Sequence, residues 1–364
     1  MDLFKNQPKN YDEEEDCCQF ALQLSSASVL PMVLKAVIEL GVLEIIGRAG
    51  LGAQLSASEI VSSLPTKNPQ ATLMLERMLR LLASYSVLTN SLNYSENGEV
   101  LRFYGLGPVC KYFIGNNHGA SLAPFLHLIQ DKAIMESWYH LKDAVLEGGL
   151  PFTKAHDLNA TDYLKKDSRF ANLFKQYSVG NNVTTMKKIL DNYKGFENLK
   201  ELVDVGGGDG SVLDMIVSKY PSIKGINFDT PAVIEKAPFY PGVEHVAGDM
   251  FESVPKSNTI FMKCILHGWD DESCLKLLRN CYKALPDDGM VVAVEYVIPT
   301  TSESISRNNN IILYDAFMMT VNALKQKTLE EYEVIAKEAG FSGVKLICYA
   351  CNYSVLEIYK NYVI

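Results

Sequence analysis

The segment LVDVGGGDGSVL, at residues 202–213, constrains the fold more than any other part of the chain. Its apolar run is followed by Gly206, Gly208 and Gly210, and a helical pattern begins directly after them. Glycine lets the backbone turn sharply and lets a ligand approach closely where the first strand of a nucleotide-binding sheet ends. The segment therefore predicts a strand, a ligand-binding loop and a helix in succession.

From residue 200 onward, short β-rich runs alternate with helical segments. This alternation is typical of a doubly wound, mostly parallel α/β sheet. We therefore predict a Rossmann-like domain in the C-terminal part of the chain. The runs are ELVDV, KGINFD, VEHVAGD, TIFMKCIL, MVVAVEYVI, VKLICYA and YSVLEIYK.

The spacing of the glycines argues against a dinucleotide as the ligand. The usual dinucleotide fingerprint is G-x-G-x-x-G, whereas Ser211 stands here where the third glycine would be. Asp209 would also set a carboxylate beside a pyrophosphate, and like charges repel. A cofactor with a sulfonium and an ammonium group tolerates that carboxylate. The loop thus disfavours a nicotinamide oxidoreductase.

Acidic residues follow the next two predicted strands. Asp229 ends INFD, where an acid can accept hydrogen bonds from ribose hydroxyls. Asp249 and Met250 follow VEHVAG, and this pair could hold an adenine. The alternative is that both acids only cap helices.

The N-terminal third of the chain predicts helices and a small β-ribbon. Residues 17–50 carry apolar side chains on nearly every side of the predicted helices, which indicates burial against a partner chain or within one subunit. Ser56 and Glu59 have the spacing of a capping box. A polar hairpin-like stretch lies around residues 90–98, so the module resembles a winged helix. The apolar stripe of its second helix comprises Leu75, Met78, Leu79 and Leu82.

The net charge of −9 argues against nucleic acid and anionic membranes as partners. We therefore expect the N-terminal module to serve in dimerisation. No apolar run approaches the roughly 20 residues that span a bilayer, and the first residues contain acids where a signal peptide needs an apolar core. These features predict a cytoplasmic protein.

Longer motifs are distributed over nearly the whole chain. They include LQLSSASVLPM, ESWYHLKDAVLEGG, KGFENLKELVDVGGGDG, YPGVEHVAGDM and FMKCILHGWDDESC. Together they resemble the plant caffeic acid O-methyltransferase family. The resemblance implies a winged-helix-like, mainly helical dimerisation domain at residues 1–118 and a Rossmann-like methyltransferase domain at residues 119–364. It also implies a homodimer and S-adenosylmethionine as the cofactor, with S-adenosylhomocysteine as its product.

By position in these motifs, the resemblance assigns a catalytic base and a set of cofactor contacts. The base that the resemblance implies is His267. A base is needed because a phenol has a pKa near 10 and is a poor nucleophile until its proton is removed. No cluster of metal ligands is apparent, and we expect none. The cofactor contacts are Gly206, Asp229, Asp249, Met250 and Lys263, with Gly208 in the same loop.

A base of this kind is expected to have carboxylates beside it. The resemblance places one at Glu295. It places the second at Gln326, where a neutral amide raises the basicity of His267 less than a carboxylate would. Glu330 or Glu331 could be the displaced acid, although both have the pattern of a helix with a solvated face.

The expected substrate pocket departs from the family. Ile129 occupies the position of an asparagine of the family, and Gly268 occupies the position of an aspartate. Two hydrogen-bonding groups are therefore lost, which favours a bulkier or more apolar acceptor. The other matching positions are Met135, Phe170, Phe174, Tyr314, Met318, Met319 and Asn322.

The sequence thus predicts O-methylation of a phenolic plant metabolite: a phenylpropanoid, flavonoid, coumarin or phenolic alkaloid. The main alternative is N-methylation of an aromatic amine, which needs less help from a base. A non-catalytic ligand-binding homologue is a third possibility, and the presence of both His267 and Glu295 argues against it.

Overall fold

The computed structural model of the chain describes residues 11–94, 96–115, 121–300, 306–322 and 325–361. The chain divides into two compact units. The first unit comprises Met1–Lys132 and Asn172–Gly180, and the second comprises Ala133–Ala171 and Asn181–Ile364. The predicted domain boundary between 118 and 119 lies outside the described residues and stays a prediction.

Among its described residues, the first unit contains six α-helices, the 3₁₀ helix Pro108–Tyr112, a small antiparallel sheet and the middle part of a longer helix, Ser168–Asn192. The sheet has the strand order β1-β3-β2. Its strands are β1 (Gln54–Ser56), β2 (Leu88–Tyr94) and β3 (Val100–Leu106). The helices are α1 (Tyr11–Ser25), α2 (Val29–Glu39), α3 (Val42–Arg48), α4 (Ala57–Ser62), α5 (Ala71–Ser84) and α6 (Ala123–Ile129).

The sequence patterns of this unit are confirmed. Ser56 caps α4 and forms a reciprocal capping box with Glu59. The stripe of α5 packs into the core, with Leu75, Leu79 and Leu82 buried. β2 and β3 form the predicted ribbon.

The first helix keeps apolar side chains at the surface of the single chain. Phe20, Leu22 and Leu24 of α1 are all exposed. Among the described residues, no single helix is long and apolar enough to cross a membrane, although Glu14–Ser25 and Val29–Glu39 together pass that test as a pair bent by 47°.

The second unit begins with short helices and continues as an α/β domain. Its helices are α7 (Lys132–Trp138), α8 (Leu141–Glu147), α9 (Pro151–His156), α10 (Ala160–Lys166), α11 (Ser168–Asn192), α12 (Ser211–Lys219), α13 (Pro231–Ile234), α14 (Asp271–Ala284), α15 (Ser306–Val321) and α16 (Leu329–Glu338). Its strands are β4 (Glu201–Val205), β5 (Lys224–Asp229), β6 (Val243–Ala247), β7 (Thr259–Lys263), β8 (Met290–Glu295), β9 (Val297–Ile298), β10 (Lys327–Thr328), β11 (Gly343–Ala350) and β12 (Tyr353–Tyr359).

Seven of these strands form one mixed sheet with the order β11-β12-β8-β7-β4-β5-β6. The strands from β8 to β6 run parallel, whereas β12 pairs antiparallel with β8 and β11 antiparallel with β12. β9 and β10 form a separate parallel pair. The predicted doubly wound sheet is therefore confirmed.

Successive residues of the central strands face two separate apolar cores. In β8, Val291 joins one core and Val292 joins the other. Residues of α14 and α16 pack in the first core, and residues of α12 and the end of α11 pack in the second. A strand buried on both faces reads as a nearly continuous apolar run, which explains ELVDV and MVVAVE.

Phe261, on the central strand β7, provides a test of this core. It is fully buried and packs edge to face against Phe196, with 5.8 Å between ring centroids. We expect Phe261→Ala to lower the free energy of unfolding by about 3–5 kcal/mol, because the truncation removes apolar contacts and leaves a cavity. Urea unfolding followed by tryptophan fluorescence measures this loss, since Trp138 and Trp269 both belong to the second unit.

The matched control is Phe239→Ala, because Phe239 is 84% exposed. Its effect should stay within about 0.5 kcal/mol. Equal losses in the two variants would contradict the core assignment.

Candidate active site

The glycine loop lies where the strand order of the sheet reverses. β4 pairs with β5 on one side and with β7 on the other, and the loop follows its carboxyl end. Gly206, Gly208 and Gly210 have φ values of 70°, 61° and 85°, a left-handed conformation that favours glycine. Open α/β sheets bind ligands at such a reversal.

Gly206 is also required by a close approach. A Cβ atom at this position would lie 2.5 Å from Cδ1 of Ile265. Ile265 stands two residues before His267, so the loop is in direct contact with the segment that carries the predicted base. At Gly208, by contrast, an added Cβ would meet nothing within 4 Å, which leaves open space for a ligand.

Both predicted acids make local hydrogen bonds to the backbone. Oδ2 of Asp229 accepts from the amide of Gly208 at 2.9 Å, and its Oδ1 accepts from the amide of Thr230 at 2.6 Å. Oδ1 of Asp249 accepts from the amide of Phe251 at 2.8 Å. Each carboxylate oxygen has a further lone pair, so these bonds leave acceptor capacity for a ribose or an adenine. The ligand contacts of both acids stay predictions.

Met250 follows β6 and Lys263 ends β7, and β4 and β5 lie between these two strands in the sheet. The carbonyl of Met250 accepts a hydrogen bond from Nδ2 of Asn280 at 3.0 Å. Nζ of Lys263 donates to Oδ1 of Asn182 at 2.8 Å and lies 4.8 Å from the centre of the Tyr353 ring. Lys263 is therefore held at the carboxyl end of β7, on the same edge of the sheet as the loop.

A buried polar group under the glycine loop was missed by the sequence analysis. Nδ2 of Asn227 donates to the carbonyl of Gly208 and to Nδ1 of His245, each at 3.0 Å. Nε2 of His245 must then carry the proton that it donates to the carbonyl of Pro238, at 2.9 Å. Asn227 lies two residues before Asp229 in the strand β5. The only signal in the sequence is that a polar residue interrupts an otherwise apolar, buried run.

Asp204 lies beside Asn227 in the same buried group. Oδ2 of Asp204 and Oδ1 of Asn227 both lie within 3 Å of the point that a Gly207 Cβ would occupy. Both oxygens are buried and have no hydrogen-bond partner among the described residues. Burial raises the pKa of the Asp204 carboxyl to about 7, with the charge of Lys263 opposing this rise and that of Asp229 adding to it.

His267 lies beyond the end of its strand, which is shorter than the predicted run TIFMKCIL. β7 ends at Lys263, and His267 lies on a single 3₁₀ turn, Leu266–Gly268. The chain leaves the sheet at Cys264, which has a φ of 58°, and the turn then presents His267 beyond the strand. Its imidazole lies parallel to the Tyr296 ring, with 6.2 Å between centroids and 10° between planes.

Glu295 touches the backbone of this turn. Its fully buried carboxylate accepts, through Oε1, from the amides of Ile265 at 2.9 Å and Leu266 at 2.7 Å. Oε2 of Glu295 and Nδ1 of His267 are buried and have no hydrogen-bond partner among the described residues. Burial raises the pKa of the Glu295 carboxyl, and the charge of His267 opposes this rise. The two groups therefore interact through space.

Gln326 is buried beside β10, and neither side-chain amide atom has a partner among the described residues. Its backbone amide donates to Oδ1 of Asp315 at 3.0 Å. Glu331 completes the capping box of α16 with Thr328, and Glu330 accepts from Thr300. Both glutamates are thus engaged at the start of this helix, as the solvated-helix interpretation proposed.

The predicted pocket residues of the second unit fall into two groups. Tyr314 stacks on Tyr296 at 4.0 Å and so belongs to the aromatic column above His267. Phe170 is buried in a different cluster, where it packs against Phe152 and Tyr163. Gly268 is exposed, Met135, Met318 and Asn322 are half-buried, and Met319 is exposed.

Two predicted pocket residues belong to the first unit. Ile129 ends α6 and is half-buried. Phe174 is partly exposed and packs against Tyr177, which stacks on Phe125. The roles of all these pocket residues in substrate binding stay predictions.

The loop, its acidic rim and Lys263 fit a cationic nucleoside cofactor. Asp209, Asp229 and Asp249 are carboxylates that a sulfonium and an ammonium group would offset. Among the residues that the structure describes, no three His, Cys, Asp or Glu side chains are grouped so that they could hold a metal ion.

Comparison with known proteins identifies the family. A family model for an O-methyltransferase domain matches residues 138–342, and one for an O-methyltransferase dimerisation domain matches residues 22–116. The caffeic acid 3-O-methyltransferase of Prunus dulcis is 56% identical over 349 residues, and that of Rosa chinensis is 55% identical; each match covers 96% of both chains. The chain belongs to the plant caffeic acid O-methyltransferase family.

The fold comparison agrees with this assignment. The crystal structure of human N-acetylserotonin methyltransferase in complex with SAM has a TM-score of 0.76 and 18% identity, and covers 98% of this chain and 99% of that chain. At that identity the likeness shows the fold alone. The family membership confirms an S-adenosylmethionine-dependent O-methyltransferase, and its dimerisation domain supports a homodimer.

The raised pKa of Asp204 predicts a pH-dependent stability. Its value of about 7 lies above the ordinary 3.8, so the folded state binds more protons than the unfolded state between these values. The stabilising effect of the protonated form is therefore lost as pH rises through this window. We expect the stability of the wild type relative to Asp204→Asn to fall by up to about 1.4 kcal/mol per pH unit between pH 4 and 7. Chemical unfolding at a series of pH values measures this slope.

Asp162→Asn is the control, because hydrogen bonds from Lys165 and Asn159 hold the pKa of Asp162 below its usual range. Its contribution to stability is lost only as pH falls through the ordinary value of 3.8 and below, so its slope should be close to zero between pH 4 and 7 and of opposite sign below that range. If the difference in unfolding free energy between the wild type and Asp204→Asn does not change with pH, Asp204 is charged in the folded state throughout this range.

Proposed function

We propose that the enzyme transfers the methyl group of S-adenosylmethionine to a phenolic hydroxyl of a small plant metabolite, with His267 as the general base. The acceptor is a phenylpropanoid, flavonoid, coumarin or phenolic alkaloid. The family membership supports the reaction, because curated members act on caffeic acid.

The contact between Gly206 and Ile265 carries the proposal. It puts the cofactor loop directly against the segment of the base, because Ile265 would meet any side chain at position 206. When bound, S-adenosylmethionine supplies an electrophilic methyl group on its sulfonium. A phenol that approaches this group then lies within reach of His267.

His267 supplies the missing nucleophilicity of the phenol. A neutral imidazole accepts the phenolic proton while the oxygen forms its bond to the methyl carbon, so that no free phenolate is needed. The side chain of His267 is half-buried, and the imidazolium that forms can return its proton to water after product leaves.

Glu295 stabilises the imidazolium without a hydrogen bond to it. The charge of His267 lowers the pKa of the buried Glu295 carboxyl against the effect of burial, and such attraction is strong where water is excluded. Tyr296 adds a parallel ring on one side of the imidazole, which restricts its rotation.

The space beside His267 supports an acceptor with fewer polar groups than caffeic acid. A Cβ added to Gly268 would meet nothing within 4 Å, so the pocket is wider here than an aspartate would leave it. The replacement of an aspartate by Gly268 also removes a hydrogen-bonding group.

Methylation of an aromatic amine is the second candidate. One observation favours it: Nδ1 of His267 has no hydrogen-bond partner among the described residues, and neither amide atom of Gln326 has one. A base without a bonded carboxylate is weaker, and an amine requires less help from a base.

His267→Ala distinguishes the two candidates. With phenolic acceptors we expect kcat to fall about 10²- to 10⁴-fold, which is the usual contribution of a general base. Binding of S-adenosylhomocysteine, measured by calorimetry, should remain within a factor of two. His140→Ala is the control, because His140 caps α8 and pairs with Asp143 in the first turn of that helix, and it should keep the wild-type rate.

The measurement uses labelled S-adenosylmethionine with paired phenols and anilines. Labelled ethers that disappear in His267→Ala support oxygen methylation. Labelled amines that persist in this variant would replace the phenol with an amine acceptor, and unchanged ether formation would refute the role of His267.

Gly268→Asp tests the acceptor preference. Because the backbone is unstrained and the space is open, the aspartate should be accommodated and should raise kcat/KM for catechols relative to monophenols by about 10-fold, the value of one good hydrogen bond. Gly268→Ala fills the space without a hydrogen bond and should leave this ratio unchanged. If the two variants change the ratio equally, volume rather than hydrogen bonding sets the preference.

A further inference from the structure

The turn that carries His267 is too short to satisfy its own backbone. Within Leu266–Gly268, the amide of Gly268 donates to the carbonyl of Ile265 at 3.1 Å. A single 3₁₀ turn leaves its other amides and carbonyls to outside partners. Glu295 accepts from two of the amides, as described above.

Lys327 occupies the carbonyl side of the same turn. Its Nζ donates to the carbonyl of Trp269 at 3.0 Å and lies 3.5 Å from the carbonyl of Leu266. Sγ of Cys274 approaches the same carbonyl of Leu266 at 3.1 Å. A carboxylate and an ammonium group thus hold the two flanks of the His267 turn.

Lys327 is 3% exposed, and burying an ammonium group is unfavourable unless it is well compensated. Its ion pair is with Oδ1 of Asp271 at 3.4 Å, and the Asp271 side chain is 77% exposed, so water weakens that attraction. A methionine would fill the same volume without a charge to desolvate. The main compensation for burying the Lys327 ammonium group is therefore its hydrogen bonding to the carbonyls of the turn.

The segment after β8 connects these contacts. Glu295 holds the amides of the turn, Tyr296 lies parallel to the His267 ring, and Val297 pairs in β9 with Lys327 in β10. Lys327 then returns to the carbonyls of the turn. The imidazole is thereby fixed against one rigid strand end through its backbone and its ring.

We propose that Lys327 is a positioning residue for His267, and that its ammonium group holds the turn in the geometry from which the imidazole reaches the acceptor. The proposal rests on the proposed role of His267 as the base. Lys327 acts only through the backbone, so it affects the chemical step and leaves cofactor binding unaltered.

Three single variants test this role. Lys327→Met keeps the unbranched stem and removes the donors, and we expect kcat to fall about 10- to 100-fold, because small misplacements of a catalytic group have effects of this size. The dissociation constant of S-adenosylhomocysteine should stay within a factor of two. Lys327→Arg retains charge and donors and should recover most of the rate. Asp271→Asn, which removes only the exposed ion partner, should remain near wild type.

A double-mutant cycle separates positioning from general stability. If Lys327 acts through His267, adding Lys327→Met to His267→Ala should cause no further loss of the residual rate, measured by long incubation with labelled cofactor. A purely structural role would give the same fold-loss in both backgrounds. If Lys327→Met does not bind S-adenosylhomocysteine, Lys327→Gln replaces it in the cycle with the same expectation.

The outcomes distinguish this proposal from the proposed function. A wild-type rate in Lys327→Met together with a loss in His267→Ala would refute the positioning role alone. Equal losses in both backgrounds, or no recovery by Lys327→Arg, would also refute it. A wild-type rate in His267→Ala would refute both proposals.

Discussion

The contact of Gly206 with Ile265 is the constraint on which the active site depends. The side chain of Ile265 fills the space beside Gly206, since a Cβ at position 206 would lie 2.5 Å from its Cδ1 atom. The glycine loop and the segment that carries His267 are therefore packed directly against each other. Because packed groups resist small displacements, this contact limits how far the glycine loop and the His267 segment can shift relative to each other. The strand order that reverses at β4 makes β7 its neighbour and so permits this contact.

The backbone of the His267 turn has polar requirements that the sheet does not meet. Glu295 and Lys327 meet them with opposite charges, and both side chains are buried. This arrangement differs from a histidine that is bonded directly to a carboxylate. Here Glu295 accepts from the amides of Ile265 and Leu266, and among the described residues no hydrogen bond joins Oε2 of Glu295 to Nδ1 of His267. The neutral side chain of Gln326 does not weaken the His267 turn, because its amide atoms make no hydrogen bond among the described residues. The backbone amide of Gln326 donates to Asp315 instead.

Much of the fold could be predicted because local patterns record it. The buried strands are nearly continuous apolar runs in the sequence, and the capping box of α4 follows from the spacing of Ser56 and Glu59. The glycine loop indicates the edge of the sheet at which a ligand is expected to bind. The resemblance to the family supplied His267 and Glu295. The rest depends on residues far apart in sequence: Lys327 reaches the turn across about sixty positions, and Asp204 meets Asn227 only when β4 pairs with β5. Tyr296 looks like any core aromatic until its ring is seen against the imidazole.

The apolar side chains on α1 have a consequence for how the protein behaves in dilute solution. Phe20, Leu22 and Leu24 are exposed on the single chain, so an isolated subunit exposes three large apolar side chains of this helix to water. Covering that helix with a second copy links folding to association by mass action. Thermal resistance is then a function of protomer concentration, and no single melting temperature describes the chain.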